Sequence, residues 1–120
     1  MSLYVYIMFY TYILTNPAKT VFYTGHTDDL TVRMQQHKSG ALKGFTAKYN
    51  CNALLWYEIH NSRDAAFKKE RQIKAWKRDW KRNLIGAANP GWDDLSVNMT
   101  MDDLYTPERM SADTRAELNL

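Results

Sequence analysis

The sequence predicts an α+β fold: a small three-stranded antiparallel sheet flanked by helices, with an acidic C-terminal tail. Three observations carry this. Tyr10 to Thr15 alternates and is rich in Tyr, Ile and Thr, so it reads as a strand. Ala53 to Ile59 is a nearly continuous apolar run and reads as another. Two segments, around 29–38 and 63–85, space their apolar residues as helices do.

In chain order, Asn16-Pro17-Ala18-Lys19 is a turn signal after the first strand. Thr20 to Thr24 is a second short strand, which makes a hairpin with the first and which Gly25 ends. Thr27-Asp28-Asp29 supplies a helix N-cap and first-turn acids. The helix from about Asp29 to Lys38 places Leu30, Arg33, Met34 and His37 at i, i+3, i+4 and i+7; two of these four are polar, which is odd for a core stripe. Ser39-Gly40 ends it. Residues 40–52 read as a loop, and the strand Ala53 to Ile59 follows. Asn61-Ser62 then caps a long helix from about Arg63 to Ile85. Its apolar face carries Ala66, Ile73, Trp76, Trp80 and Leu84, and both tryptophans are expected in the core. Glu70 sits at the margin of that stripe. The opposite face is crowded with Lys68, Arg71, Lys74, Arg78, Lys81 and Arg82. Asn89-Pro90-Gly91 breaks the chain. The remainder is acidic and polar, with a short helix capped by Thr106 and Pro107 at its first position. No internal repeat is present.

At 120 residues, 45% of them hydrophobic, the chain suits one domain with a core of its own. The single cysteine, Cys51, excludes an internal disulfide framework, and no Cys/His cluster has zinc-site spacing. The apolar opening MSLYVYIMFYTYIL is shorter than a membrane span, lacks a preceding Lys or Arg, and is followed by no small-residue cleavage signal. The expected location is the cytoplasm, with no membrane partner. Net charge is +3 but unevenly spread. Residues 1–90 carry 14 Lys/Arg against 6 Asp/Glu, a net +8; residues 91–120 carry 2 against 7, a net −5. A basic body points to an anionic partner, although an ordinary solvated surface reads the same way.

The residues that need a chemical reason are polar ones on inward or half-inward faces: Arg33, His37 and Glu70, with Tyr12, Tyr23 and Tyr49 near them in the pattern. A carboxylate can hold Mg²⁺ or Mn²⁺ through hard oxygens. An arginine can clamp a phosphate and stabilise transition-state charge. A phenol or imidazole can take a proton from an attacking water. Each also has a bland reading, as a surface acid, a helix margin or strand packing.

The ordered set of tokens sharpens this. Tyr10-Thr11-Tyr12 and Tyr23-Thr24-Gly25 are followed by Arg33, His37 and Glu70. Around them lie FYTGHTDDL, the loop from Gly44-Phe45-Thr46 to Lys48-Tyr49, AWKRDWKRNLI and NPGWDDL. Together they resemble the GIY-YIG nuclease superfamily, and more narrowly its small stand-alone bacterial proteins, over residues 10–95. The resemblance implies metal-dependent hydrolysis of DNA. Tyr23 would be the general base and Tyr12 would orient the site. Arg33 would bind the scissile phosphate, with His37 assisting, and Glu70 would be the metal ligand for Mg²⁺ or Mn²⁺. His26 stands where some members carry lysine. A late asparagine of some relatives is matched equally by Asn83 and Asn89. Tyr10 replaces the first glycine of the motif. Lys48, Tyr49, Lys74 and Arg78 are the expected nucleic-acid contacts. The nuclease-like domain is expected over residues 8–95, with 96–120 an acidic extension and residues 1–7 an upstream one.

Three functions compete on these grounds. The first is a DNA endonuclease, acting on branched or damaged DNA in repair or recombination. The second is a non-catalytic nucleic-acid-binding module, resting on nine Lys/Arg against three Asp/Glu over residues 63–82. The third is a protein-interaction domain. The run Tyr4 to Leu14 is long and apolar enough to pair with a second copy, giving a homodimer, if it lies at a sheet edge.

Overall fold

The computed structural model describes residues 7–120. Strands β1 (Phe9–Thr15), β2 (Phe22–Thr27) and β3 (Ala53–His60) form one antiparallel sheet in the order β2-β1-β3. The hairpin turn is built by Asn16, whose side-chain oxygen accepts from the backbone N–H groups of Thr20 and Val21 at 2.8 and 3.0 Å. β1 is central, so its part of the apolar N-terminal run has no free edge for a second copy; Tyr4 to Tyr6 lie outside the described residues.

β2 runs through Gly25 instead of ending there, because Gly25 is paired with Tyr12 in the ladder. A register shift at Ile13/Leu14 puts Leu55 and Trp56 in the same apolar cluster, one that lines one face of the sheet with Ile13. Tyr10, Tyr12, Leu14, Leu54, Tyr57 and Ile59 belong to the cluster on the other face.

Helix α1 (Leu30–Ser39) begins at Asp29, whose carboxylate caps Val32 N–H at 3.0 Å, and ends at Gly40 in the left-handed conformation. Its Leu30, Met34 and His37 are buried against the Tyr10–Tyr12 face. The segment read as a loop holds a short helix, α2 (Phe45–Tyr49), closed by Asn50 at φ 56°.

The long helix expected from Arg63 to Ile85 is two: α3 (Arg63–Lys74) and α4 (Arg78–Ala88). A straight helix would carry Ile85 about 18 Å beyond Ile73. The break brings both into one cluster with Ile13 and Leu55, joined by the half-buried Trp76 and Leu84. It also corrects the expectation for Trp80, which is 58% exposed and meets Trp76 only edge-on.

Residues 96–120 fold back on the sheet. Tyr10 and Tyr57 donate their hydroxyls to the carbonyls of Leu104 and Asp103 at 2.9 and 2.8 Å. Met110 makes a parallel bridge with Ile59 and is buried. Two single 3-10 turns, Asp102–Leu104 and Pro107–Arg109, precede α5 (Ala112–Glu117); the second has Thr106 as its cap and Pro107 first. Among the described residues, no helix is long and apolar enough to cross a membrane.

Candidate active site

The polar residues gather around β2, an edge strand. On the α1 face, the rings of Tyr12, Tyr23 and His37 form a triangle with centroid separations of 6.3, 5.9 and 5.9 Å. Tyr12 is fully buried and Tyr23 half-exposed. The Tyr12 hydroxyl lies 3.2 Å from His37 Nε2, and His37 Nδ1 lies 3.1 Å from Thr46 Oγ1. α2 therefore fixes the imidazole through Thr46, a buried residue that the sequence offered only as part of a loop token.

Burial pushes the Tyr12 phenol well above its usual range, with Tyr23 and Glu70 adding to the rise and Arg33 opposing it. Burial, reinforced by the Arg33 charge, holds His37 down at about 4. At neutral pH the pair is a neutral phenol and a neutral imidazole. The Arg33 charge opposes the rise of the phenol from nearby. One ring nitrogen of the neutral imidazole donates and the other accepts, so Tyr12 and Thr46 hold it from both sides.

On the α3 face, Glu70 is only 8% exposed, which is unusual for a carboxylate. Its Oε1 lies 3.0 Å from His26 Nδ1 and its Oε2 3.4 Å from Lys74 Nζ. Phe67 meets the His26 ring edge-on at 5.6 Å. Strand alternation puts Tyr23 and His26 on opposite faces, and the two halves meet around the β2 edge. There Lys74 Nζ sits 5.9 Å from the Tyr23 ring centroid while also reaching Glu70. A depression of about 270 Å³ opens at this edge, lined by Phe22, Tyr23, Thr24, Phe45, Lys74 and Lys81.

The structure thus brings Tyr12, Tyr23, His26, Arg33, His37, Glu70 and Lys74 into one neighbourhood. Lys48 and Tyr49 stand beside it on the exposed side of α2. Arg78 donates to the Thr20 carbonyl at 2.7 Å and covers the Phe22 ring. Asn83 lies exposed on α4. Asn89 is buried, and its amide donates to the carbonyls of Leu55 and Asp93 at 3.0 and 2.8 Å. Phe45, like Thr46, stood in the sequence only as part of the loop token and was given no role, because a lone Phe in a polar loop carries no periodic signal.

One hard divalent cation suits the donors present. Glu70 is an anchored carboxylate whose Oε1 is held by His26, and among the described residues its Oε2 meets the exposed Lys74. Mg²⁺ and Mn²⁺ are commonly held by one or two carboxylates, with water and substrate phosphate completing the shell. Among the described residues no cluster of three or more His, Cys, Asp or Glu forms a closed cage.

Comparison with known proteins adds the lineage. Residues 8–83 match the model of the GIY-YIG catalytic domain. A UPF0213 protein of Haloquadratum walsbyi is 31% identical over 75 residues, covering 62% of this chain and 83% of that protein. UPF0213 proteins of Streptococcus pyogenes are 37% identical over 68 residues, covering 57% of this chain and 73% of theirs. The solution structure of a UPF0213 protein of Bacillus halodurans aligns with a TM-score of 0.48 and 24% identity, covering 78% of this chain and 99% of that one.

Proposed function

Because this chain belongs to the GIY-YIG catalytic-domain family, we propose that it is an endonuclease that hydrolyses DNA phosphodiester bonds with the help of one Mg²⁺ or Mn²⁺. The observation that carries the reading is the continuous set of contacts from Thr46 through His37, Tyr12 and Tyr23 to Lys74, Glu70 and His26. A carboxylate this buried, joined to a histidine beside two phenols and an arginine, has no evident use on a solvated surface.

The two phenols divide the work by environment. Tyr23 opens to solvent, to which its own phenol proton leaves, and the resulting phenolate takes the proton of the attacking water. As that proton leaves, the water oxygen bonds to phosphorus and the leaving P–O bond breaks. Tyr12, buried and held protonated, keeps His37 and the Tyr23 ring in place. Arg33 binds the scissile phosphate and neutralises the charge that gathers on it. Glu70 would hold the cation, with His26 fixing the carboxylate through Oε1. The cation, when bound, supplies Lewis-acid stabilisation of phosphoryl charge. Lys48, Tyr49, Lys74 and Lys81 receive the strand around the depression.

A nucleic-acid-binding module without catalysis would rest on the basic face alone and would bind equally well without Glu70. A cleavage panel of supercoiled, flapped, forked and single-stranded DNA, with and without Mn²⁺ and beside Glu70→Ala, separates the two. Metal-dependent cutting lost in Glu70→Ala supports the nuclease. Clean protein that binds DNA but never nicks it with either metal supports the module.

A further inference from the structure

A row of aromatic rings leaves the site along α2; the chemistry above uses its first ring, Tyr23, and places Tyr49 beside the strand, but gives the row itself no role. Phe45 lies 6.1 Å from Tyr23, and Tyr49 lies 4.7 Å from Phe45, centroid to centroid. Phe45 is 47% exposed and Tyr49 40%, while Thr46 beside them turns inward to His37. Cations frame the row: Lys48 Nζ stands 5.3 Å over the Tyr49 ring and Lys74 Nζ 5.9 Å over the Tyr23 ring. Lys81 lines the same depression as Phe45.

Partly exposed aromatic rings framed by lysines suit a flat π-bearing group carried on an anionic chain. A nucleobase on a phosphodiester strand has that chemistry. A continuous duplex offers only base edges and phosphates in its grooves, because its base faces are already stacked inside. We propose that Phe45 and Tyr49 form a stacking platform for an unpaired base beside the phosphate held at Tyr23, so that the protein selects single-stranded or flapped DNA over continuous duplex. The inference rests on the nuclease reading for the position of that phosphate, whereas the stacking itself needs no cleavage.

The test uses the full chain carrying Glu70→Ala, so that nothing is cut, and a single-stranded oligonucleotide with 2-aminopurine at successive positions. Fluorescence should be quenched at one or two positions on binding, and the matching duplex should bind more weakly. Adding Phe45→Leu, which keeps apolar bulk without a π-face, should weaken single-strand binding about tenfold, the scale of one base–aromatic stack. Phe45→Trp should restore it. Tyr49→Leu, at the exposed end of α2, gives a second reading should Phe45→Leu fail to fold. Equal affinity for single strand and duplex, or unchanged quenching in Phe45→Leu or Tyr49→Leu, overturns the platform. Wild-type protein that cuts DNA without any such quenching sinks the platform and leaves the nuclease standing. Quenching without cutting in either metal does the reverse.

Discussion

The Tyr12 hydroxyl occupies the space that a side chain on Gly25 would need: a Cβ at residue 25 would lie 2.6 Å from Tyr12 Oη, 2.7 Å from Cζ and 3.0 Å from Tyr23 Cε2. The two residues are ladder partners, so the Tyr12 ring crosses the β2 backbone only because position 25 is bare. Tyr12 is fully buried and has nowhere to move. Gly25→Ala is therefore expected to cost about 1–3 kcal/mol in stability by overpacking. It should also displace the phenol from His37. Urea unfolding measures the first effect, and the His37 ring resonances in NMR report the second.

The two phenols should respond differently to losing their hydroxyls. On the proposed mechanism Tyr23→Phe removes the proton acceptor, and the cleavage rate should fall on the order of 10²–10⁴-fold with stability unchanged. Tyr12→Phe removes a buried hydrogen bond, and stability should fall by about 1 kcal/mol. Paired single-turnover and denaturation measurements check the contrast. Equal rate losses would undo the division of roles.

Stability should fall on acidification. Burial holds both His37 and His60 at about 4, against an ordinary 6.5, with Arg33 reinforcing the first and Lys69 the second. Between pH 6.5 and 4 the unfolded chain takes up protons that the folded chain refuses. Their contribution is thus complete above pH 6.5 and lost as pH drops toward 4. Glu58, raised by burial against the pull of Lys69, acts in the opposite sense: its contribution is present at low pH and fades as pH rises through its folded value. The two histidines together carry the net fall in stability between pH 7 and 4.5, and Glu58, 3.3 Å from His60, offsets part of it. Denaturant midpoints across that range test it, and His60→Asn should flatten the slope.

Asn89 makes three hydrogen bonds that tie α4 to β3 and to the turn at Asp93: two donated by its amide and one accepted from Asp93 N–H at 3.2 Å. Asn89→Ala should cost about 2 kcal/mol. Asn83→Ala, on the exposed face of α4, should change the unfolding midpoint little. Thermal melts of the two variants side by side decide this.

What was legible in the sequence follows from where the signal is local. The alternation in Tyr10–Thr15, the Asn16 turn, the cap within Thr27-Asp28-Asp29 and the Gly40 stop each act over a few residues, and the elements they mark appear, except that Asp29 is itself the cap and no acid stands in the first turn. Arg33 and His37 stood out because polar groups on an inward stripe need a reason, and both lie near Tyr12. The break between α3 and α4 was not legible. Ala75, Trp76 and Lys77 carry no proline or glycine, and the chain turns there because Ile85 and Ile73 share one cluster, a tertiary demand. Trp80 was misplaced for the same reason. Thr46 and Phe45 were hidden in a segment without periodicity, whose short helix is closed by Asn50. The Glu70–His26 contact spans 44 positions, and no spacing rule reveals it.

The most direct measurement is the nicking rate of supercoiled DNA in Mg²⁺ and in Mn²⁺ for the wild-type chain and for Glu70→Gln, with matching circular dichroism spectra. The buried acid beside His26 should be indispensable: wild-type protein nicks only with metal, and the amide variant slows by at least about 10²-fold, the scale lost with one preorganised charge at a reacting centre. A folded Glu70→Gln protein that nicks as fast as wild type, or a wild-type chain inert in both metals, would contradict the account.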